Sequence, residues 1–99
     1  MSAPGYLIYQ YRVTDRERVG ELGPRVVPVL ERHGGEIVIA SHVEPLEGEP
    51  PAHVVVYRFA SVEAARAFHD SPEHRELGAL RRAATEGVAS LVPGFTDRA

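Results

Sequence analysis

The order of apolar and polar residues along the chain predicts four β-strands. A half-buried strand alternates apolar and polar positions, whereas a helix repeats its apolar positions every three or four residues. Four stretches are rich in aromatic and β-branched residues, as strands are: 6–13, 36–43, 53–59 and 88–92. The second and third are joined by EPLEGEPPA, whose prolines are incompatible with a regular strand ladder.

A first helix is predicted between the first two strands. Thr14 and Glu17 have the spacing of a capping box, so the helix should begin there and run to about Arg32. Pro24 and Pro28 lie within it, and each proline removes a backbone hydrogen bond and crowds the preceding turn. We therefore expect a kink at these prolines, or two short helical pieces.

Two further helical segments are predicted before the last strand. Ser61 is a suitable N-cap, and Ser71-Pro72 supplies a second N-cap with proline at the first helical position. Gly87 should end the last helix. The order βαββαβ predicts an α+β, ferredoxin-like domain, with a four-stranded antiparallel sheet and the helices on one face. The 99 residues should form a single domain with its core over about 5–94.

Alternation along the predicted strands divides their residues between two faces. One set is almost entirely apolar and should pack against the helices: Leu7, Tyr9, Tyr11, Ile37, Ile39, Val55, Tyr57 and Phe59. The other set mixes aliphatic and polar side chains and would face solvent in a monomer: Ile8, Gln10, Arg12, Val38, Ala40, His42, Val54, Val56 and Arg58. Because an exposed apolar face favours a partner, we expect a homodimer whose open faces pack into an α/β barrel.

Polar residues on this open face are candidates for ligand binding. An apolar lining with a few convergent polar groups is the usual composition of a small-molecule pocket. Gln10, Arg12, His42 and Arg58 fit that description and point to a small polar or anionic metabolite. The alternative is that these four residues lie at the rim of the dimer interface and form hydrogen bonds or ion pairs across it.

Composition excludes several functions. The chain has no cysteine, which rules out disulfides, thiol nucleophiles and thiolate metal sites. All eleven Lys+Arg residues are arginine, so a lysine Schiff base is excluded. The net charge of −3 and the lack of a basic block argue against nucleic-acid binding. No apolar stretch approaches the roughly 20 residues that cross a bilayer, and the first residues do not resemble a secretory signal. We therefore expect a cytoplasmic protein with no membrane partner.

Several short motifs together resemble one known family. They are Tyr6-Leu7-Ile8, Asp15, His33-Gly34-Gly35, Leu46-Glu47-Gly48, Phe59 with Ser61, Glu63-Ala64-Ala65-Arg66-Ala67-Phe68, Asp70-Ser71-Pro72-Glu73 and Leu80-Arg81. Residues 5–94 thus resemble domain-of-unknown-function family 1330, of the dimeric α/β-barrel superfamily. The resemblance implies a ferredoxin-like fold and a homodimer, and no established reaction. Positions 69 and 74, often Tyr in the family, are His here, and position 58, often acidic there, is Arg58.

His33 is the candidate for a catalytic acid or base, because imidazole titrates near neutral pH. The alternative is that His33 ends the first helix and donates to its free carbonyls, since two glycines follow it. His69 and His74 are five residues apart across a helix break, which is not the spacing of a helical metal pair. The sequence therefore predicts no metal site and no cofactor.

The preferred function is a small homodimeric protein that binds a small polar or anionic metabolite in its barrel. One alternative is a cofactor-independent oxygenase or isomerase with His33 or His42 as the base. Some members of the superfamily are cofactor-free monooxygenases that commonly use Asn and Trp, and this chain has neither residue. The other alternative is a purely structural dimerisation module.

Overall fold

The computed structural model describes residues 3–96, which form one antiparallel sheet covered on one face by helices. The elements are β1 (Gly5–Val13), α1 (Arg16–Arg32), β2 (Glu36–His42), β3 (His53–Phe59), α2 (Val62–Asp70), α3 (Pro72–Ala84) and β4 (Thr85–Pro93). The strand order is β2-β3-β1-β4. This arrangement confirms the predicted ferredoxin-like order, with the second helical region divided in two at Ser71.

The hydrophobic core lies between the helices and β1 and β3. Leu7 and Tyr9 on β1 and Phe59 on β3 are buried on the helix-facing side, as the alternation predicts. The helices contribute their own apolar stripes: Val26, Val29 and Leu30 from α1, Ala65 and Phe68 from α2, and Leu77 from α3. These side chains hold all three helices against the same face and leave the opposite face of the sheet uncovered.

Helix α1 is continuous from Arg16 to Arg32, so the alternative of two short helical pieces was wrong, whereas a kink at the prolines stays a prediction. A proline has no N–H to donate, so the carbonyls of Gly20 and Pro24 receive no helical hydrogen bond from Pro24 and Pro28, four residues later. Gly20, Pro24 and Pro28 are all exposed. Water can therefore satisfy those carbonyls on the outer side of the helix. The cap also differs by one residue, because Asp15 rather than Thr14 is the N-cap and accepts from the Arg18 amide at 3.2 Å.

A β-bulge in β2 overturns part of the predicted division of faces. The register shifts between Ile37, which lies opposite Tyr57, and Ile39, which lies opposite Val56. One extra residue reverses the alternation beyond the bulge. Ile39 therefore belongs to the open face, and Ala40 and His42 share the helix-facing side; all three were predicted on the opposite faces.

The end of α3 is a second correction. The helix ends at Ala84, and Gly87 lies inside β4, opposite Tyr11. A Cβ at Gly87 would collide with the backbone of Gln10 and Tyr11, so glycine is needed here for close strand approach. The glycine signal that predicted a helix end thus marks a tight pairing of two strands.

Among residues 3–96, none of the helices has the length and the apolar composition that a membrane-spanning helix needs.

Ser71 joins α2 to α3, and the loss of its hydroxyl should lower the stability of the folded chain. Its hydroxyl donates to the Phe68 carbonyl at 2.7 Å and accepts from the His74 amide at 3.2 Å, in a buried position. We expect Ser71→Ala to lower the free energy of unfolding by about 1–2 kcal/mol, because both helix ends lose a partner. Urea denaturation measures the change. Ser41→Ala, at an exposed position in β2, should stay within about 0.5 kcal/mol, and equal losses in the two variants would refute this role.

Candidate functional site

A small cavity lies between the sheet and helices α1 and α3. Its volume is about 50 Å³, and it is lined by Tyr9, Tyr11, Val19, Leu22, Val26, Val55, Tyr57, His74, Leu77, Arg81 and Thr85. A wider cleft of about 290 Å³ shares Tyr9, Tyr11, Arg81 and Thr85 with it and is also lined by His69, Arg82, Gly87, Val88 and Ala89. A water needs roughly 10–15 Å³ measured this way, so the inner cavity has room for a few waters or a carboxylate-sized group. We call the two spaces together the helix-side site.

Two simple periodicities bring the polar residues of this site together. Tyr9 and Tyr11 are two residues apart on β1, so both point to the helix-facing side. On α3, His74, Leu77 and Arg81 are three and four residues apart, which places them on one face of the helix. The polar residues Tyr9, Tyr11, His74 and Arg81 are therefore contributed by one strand, β1, and one helix, α3.

Tyr9 and Arg81 form the polar centre of the site. Tyr9 is 3% exposed, and the Arg81 guanidinium carbon lies 4.7 Å from the centre of its ring. Within the part of the chain that the structure describes, the Tyr9 hydroxyl makes no hydrogen bond of normal length and angle, although Arg81 lies close enough to lower the pKa of Tyr9 by its charge and by hydrogen bonding. An unpaired buried hydroxyl costs about 1–3 kcal/mol. A bound oxygen atom could recover that energy by accepting a hydrogen bond from it.

The tyrosines of the site are neutral donors at physiological pH. Burial raises the pKa of Tyr9, and the opposing effect of the nearby Arg81 charge is smaller. Burial likewise raises the pKa of Tyr57 to about 12, and the two rings lie 5.5 Å apart. Together with Arg81 they present hydrogen-bond donors and one positive charge to the cavity.

His74 is a neutral imidazole with one nitrogen already engaged. Its Nδ1 lies 3.1 Å from the backbone oxygen of His69, so Nδ1 carries the proton and donates to that carbonyl. Burial lowers the pKa of His74 to about 4, with smaller contributions from the charges of His69, Arg81 and Arg82, and the hydrogen bond to the His69 carbonyl opposes this shift only in part. The second nitrogen, Nε2, is therefore an acceptor rather than a donor.

The lowered pKa of His74 predicts a dependence of stability on pH. Its pKa is about 4 in the folded chain against 6.5 ordinarily, so the unfolded chain binds a proton first as the pH falls. Stability should fall between pH 6.5 and about 4, by at most about 1.4 kcal/mol per pH unit from this group. His74→Phe should show a shallower slope in urea denaturation across this range. Identical slopes in the two proteins would contradict the assignment.

The structure does not gather the four ligand-binding residues predicted from the sequence. Arg12 forms an ion pair with Glu86 on the open face, and Arg58 pairs with Glu36 there at 3.4 Å. Arg58 lies opposite Tyr6, which is six residues before Arg12 on β1. The two arginines are therefore roughly 20 Å apart along the strand direction. Gln10 lies between them on the same face.

His42 and His33 lie elsewhere. The bulge in β2 places His42 on the helix-facing side of the sheet, opposite His53 and away from the open-face residues. His33 is the C-cap of α1, with Nδ1 3.0 Å from the Val29 carbonyl oxygen, and Gly34 follows it in the left-handed region at φ 73°. The helix-ending role expected for His33 and Gly34 is thus confirmed, while catalysis by His33 stays a prediction.

Sequence reasoning missed Tyr9, His74 and Arg81 as site residues. Tyr9 was placed correctly on the helix face but was assigned to the core. The spacing of His74, Leu77 and Arg81 is a usable signal, because a histidine and an arginine share the face of the apolar residue between them. Within residues 3–96 no three or more His, Cys, Asp or Glu side chains are grouped so that they could hold a metal ion.

Comparisons with known proteins agree with this fold. The model of the family described as "Domain of unknown function (DUF1330)" matches residues 4–95. No curated protein matches the chain. The crystal structure of methylated RPA0582 protein has a TM-score of 0.78 and 23% identity, covering 100% of this chain and 86% of that one. Another structure of RPA0582 is described as a protein of unknown function from Rhodopseudomonas palustris.

Two further solved structures show how varied the proteins with this fold are. SnoaB from Streptomyces nogalater, a cofactor-independent oxygenase, has a TM-score of 0.70 and 12% identity, covering 98% of each chain. A dimeric ferredoxin-like protein of unknown function from Thermobifida fusca has a TM-score of 0.59 and 17% identity, covering 94% of this chain and 92% of that one. At these identities the likeness shows the fold alone.

Proposed function

Since the chain belongs to the DUF1330 family, whose description assigns no activity, we propose its function from the geometry: a homodimer that binds a small polar or anionic metabolite in the helix-side site. The observation that carries the proposal is the Tyr9 hydroxyl, which is buried and makes no hydrogen bond of normal geometry, although the Arg81 guanidinium lies beside it. A carboxylate or a polarised carbonyl would accept a hydrogen bond from Tyr9 and would be attracted by Arg81.

The sizes of the two spaces favour a ligand with a small polar head and a larger body. The inner cavity of about 50 Å³ has room for a carboxylate, whereas an aromatic ring needs more space. The adjoining cleft of about 290 Å³ offers the room for a ring or an aliphatic body. Arg82 also lines that cleft, so a negatively charged group of the ligand is favoured both in the inner cavity and in the cleft.

The homodimer is supported by the composition of the open sheet face. Ile8, Val56 and Ile39 form an apolar row across three strands at its centre. The ion pairs Arg12–Glu86 and Arg58–Glu36 lie toward opposite ends of the face. An apolar centre with a charged rim is the usual anatomy of a protein interface. The structural neighbour from Thermobifida fusca is described as dimeric.

Benzoate and benzamide make a matched test of the ligand proposal, because they share a ring and differ in charge. We expect benzoate to bind the wild-type protein more tightly than benzamide does, as measured by calorimetry or a thermal shift. Arg81→Gln should weaken benzoate binding about tenfold or more, since a charged hydrogen bond contributes roughly 1.5–3 kcal/mol.

Arg75→Gln is the control, because Arg75 is an exposed arginine on the same helix and does not line the helix-side site. It should bind benzoate as the wild type does. Equal affinity for benzoate in Arg81→Gln and the wild type, or equal affinity of the wild type for benzoate and benzamide, would overturn the proposal.

A second candidate function, a cofactor-independent oxygenase or isomerase, is favoured by His74. Its Nδ1 proton is held by the His69 carbonyl, which leaves Nε2 to accept a proton from a substrate in the cavity. His74 thus replaces His33 and His42 as the proposed base. Oxygen uptake with a naphthoquinol tests this function. Uptake above the uncatalysed rate that disappears in His74→Phe would support it, and equal rates with both proteins would contradict it.

A further inference from the structure

Two histidines that do not line the helix-side site face each other where β2 ends and β3 begins. His42 and His53 are direct partners in the strand register, and the centres of their rings lie 4.2 Å apart at an interplanar angle of 47°. Tyr11 stacks on the other side of His53, with ring centres 5.4 Å apart and planes within 5°. The β-bulge creates this pair, because without it His42 would lie on the opposite face.

We propose that His42 and His53 form a binding site for a divalent transition-metal ion, with Cu²⁺ preferred. Facing positions on paired strands bring side chains within reach of one ion, as i and i+4 positions do on a helix. The Nδ1 of His53 is buried and has no hydrogen-bond partner among residues 3–96, so a bond to a metal ion would satisfy a polar atom that the fold leaves without one. Water would complete the coordination, since only two protein ligands are present.

The ligand chemistry favours Cu²⁺ over Zn²⁺. For nitrogen ligands the general order of affinities places Cu²⁺ above Ni²⁺ and Zn²⁺. The ring centres, 4.2 Å apart, are close enough for both imidazoles to reach one ion.

The Tyr11 ring stacks against His53 and restrains its orientation. A metal-ligating side chain that is already restrained loses less conformational freedom when the metal binds. His42 is exposed, so an ion has access to the pair from solvent. Bound metal would cross-link the edge strand β2 to β3, and the folded state should gain stability because the unfolded chain does not hold the two rings together.

The test is a titration of tag-free protein with Cu²⁺, followed by calorimetry and electron paramagnetic resonance. We expect a copper signal with two nitrogen ligands and a rise of several degrees in melting temperature at saturation. His42→Ala and His53→Ala should each lower the Cu²⁺ affinity by more than about tenfold and remove the thermal shift. Ser41→Ala, at the exposed position next to His42 on β2, should bind Cu²⁺ as the wild type does.

His42 is exposed on an edge strand, so His42→Ala should fold even if His53→Ala does not, and circular dichroism without metal checks this. Copper binding that persists unchanged in His42→Ala would place the ion elsewhere, for example at the chain terminus, and would overturn the proposal. A wild-type protein that shows neither the two-nitrogen signal nor a thermal shift would overturn it as well.

Discussion

Phe68→Ala should lower the free energy of unfolding by about 3–5 kcal/mol, the largest loss that we expect from a single substitution. Phe68 is 0% exposed, and its ring contacts four others, with ring centres 4.6 Å from His74, 5.3 Å from Phe59, 5.7 Å from His33 and 5.9 Å from Tyr57. Alanine would leave a cavity where the sheet, α2 and α3 meet. The total free energy of unfolding of a native domain is about 5–15 kcal/mol, so the expected loss is a large fraction of the stability.

The loss is measured by urea denaturation at a fixed protein concentration, because a dimer's stability depends on concentration. Phe95→Ala is the matched control, since Phe95 is 91% exposed, and it should change the free energy by less than about 0.5 kcal/mol. A loss below about 1 kcal/mol in Phe68→Ala would mean that the core is not packed around this ring.

Ile39→Asp should separate the proposed dimer. Ile39 is 47% exposed in the single chain and lies on the open face opposite Val56 because of the bulge. A two-fold interface contains the substitution twice, so two unpaired carboxylates would lose their hydration on association. We expect the dissociation constant to rise more than about 100-fold, which corresponds to about 3 kcal/mol.

Sedimentation velocity measures this change, with the wild type as a dimer at micromolar concentration and Ile39→Asp as a monomer. Ala67→Asp, at an exposed position on α2, is the control and should remain dimeric. A wild-type monomer, or an Ile39→Asp dimer of unchanged affinity, would contradict packing through the open sheet face.

Strand and helix order could be predicted because the signals for them are local. The apolar alternation in β1 and β3 and the serine caps of α2 and α3 depend on neighbours within a few residues. The bulge in β2 could not be predicted, because a shift of one residue depends on how two distant strands pair. It changed the face of His42, and with it one of the four predicted site residues.

The course of α1 through its prolines and the properties of the helix-side site also depend on tertiary packing, which local sequence signals do not contain. Pro24 and Pro28 predict an interrupted helix, yet α1 is continuous and both prolines are exposed, so their missing hydrogen bonds lie on the side of the helix away from the core. Tyr9 read as a core residue, and its position was predicted correctly. That its hydroxyl lacks a partner while Arg81 lies over its ring follows only from how α3 packs on the sheet.

The most direct test of the central claim is a two-dimensional NMR titration of the protein with benzoate, resolved by residue. If the ligand binds on the helix side, the shifts should be largest at Tyr9, Arg81 and Thr85, which line both spaces of the helix-side site. Shifts confined to Gln10, Arg12 and Arg58 on the open face, with Tyr9 and Arg81 unmoved, would contradict the account.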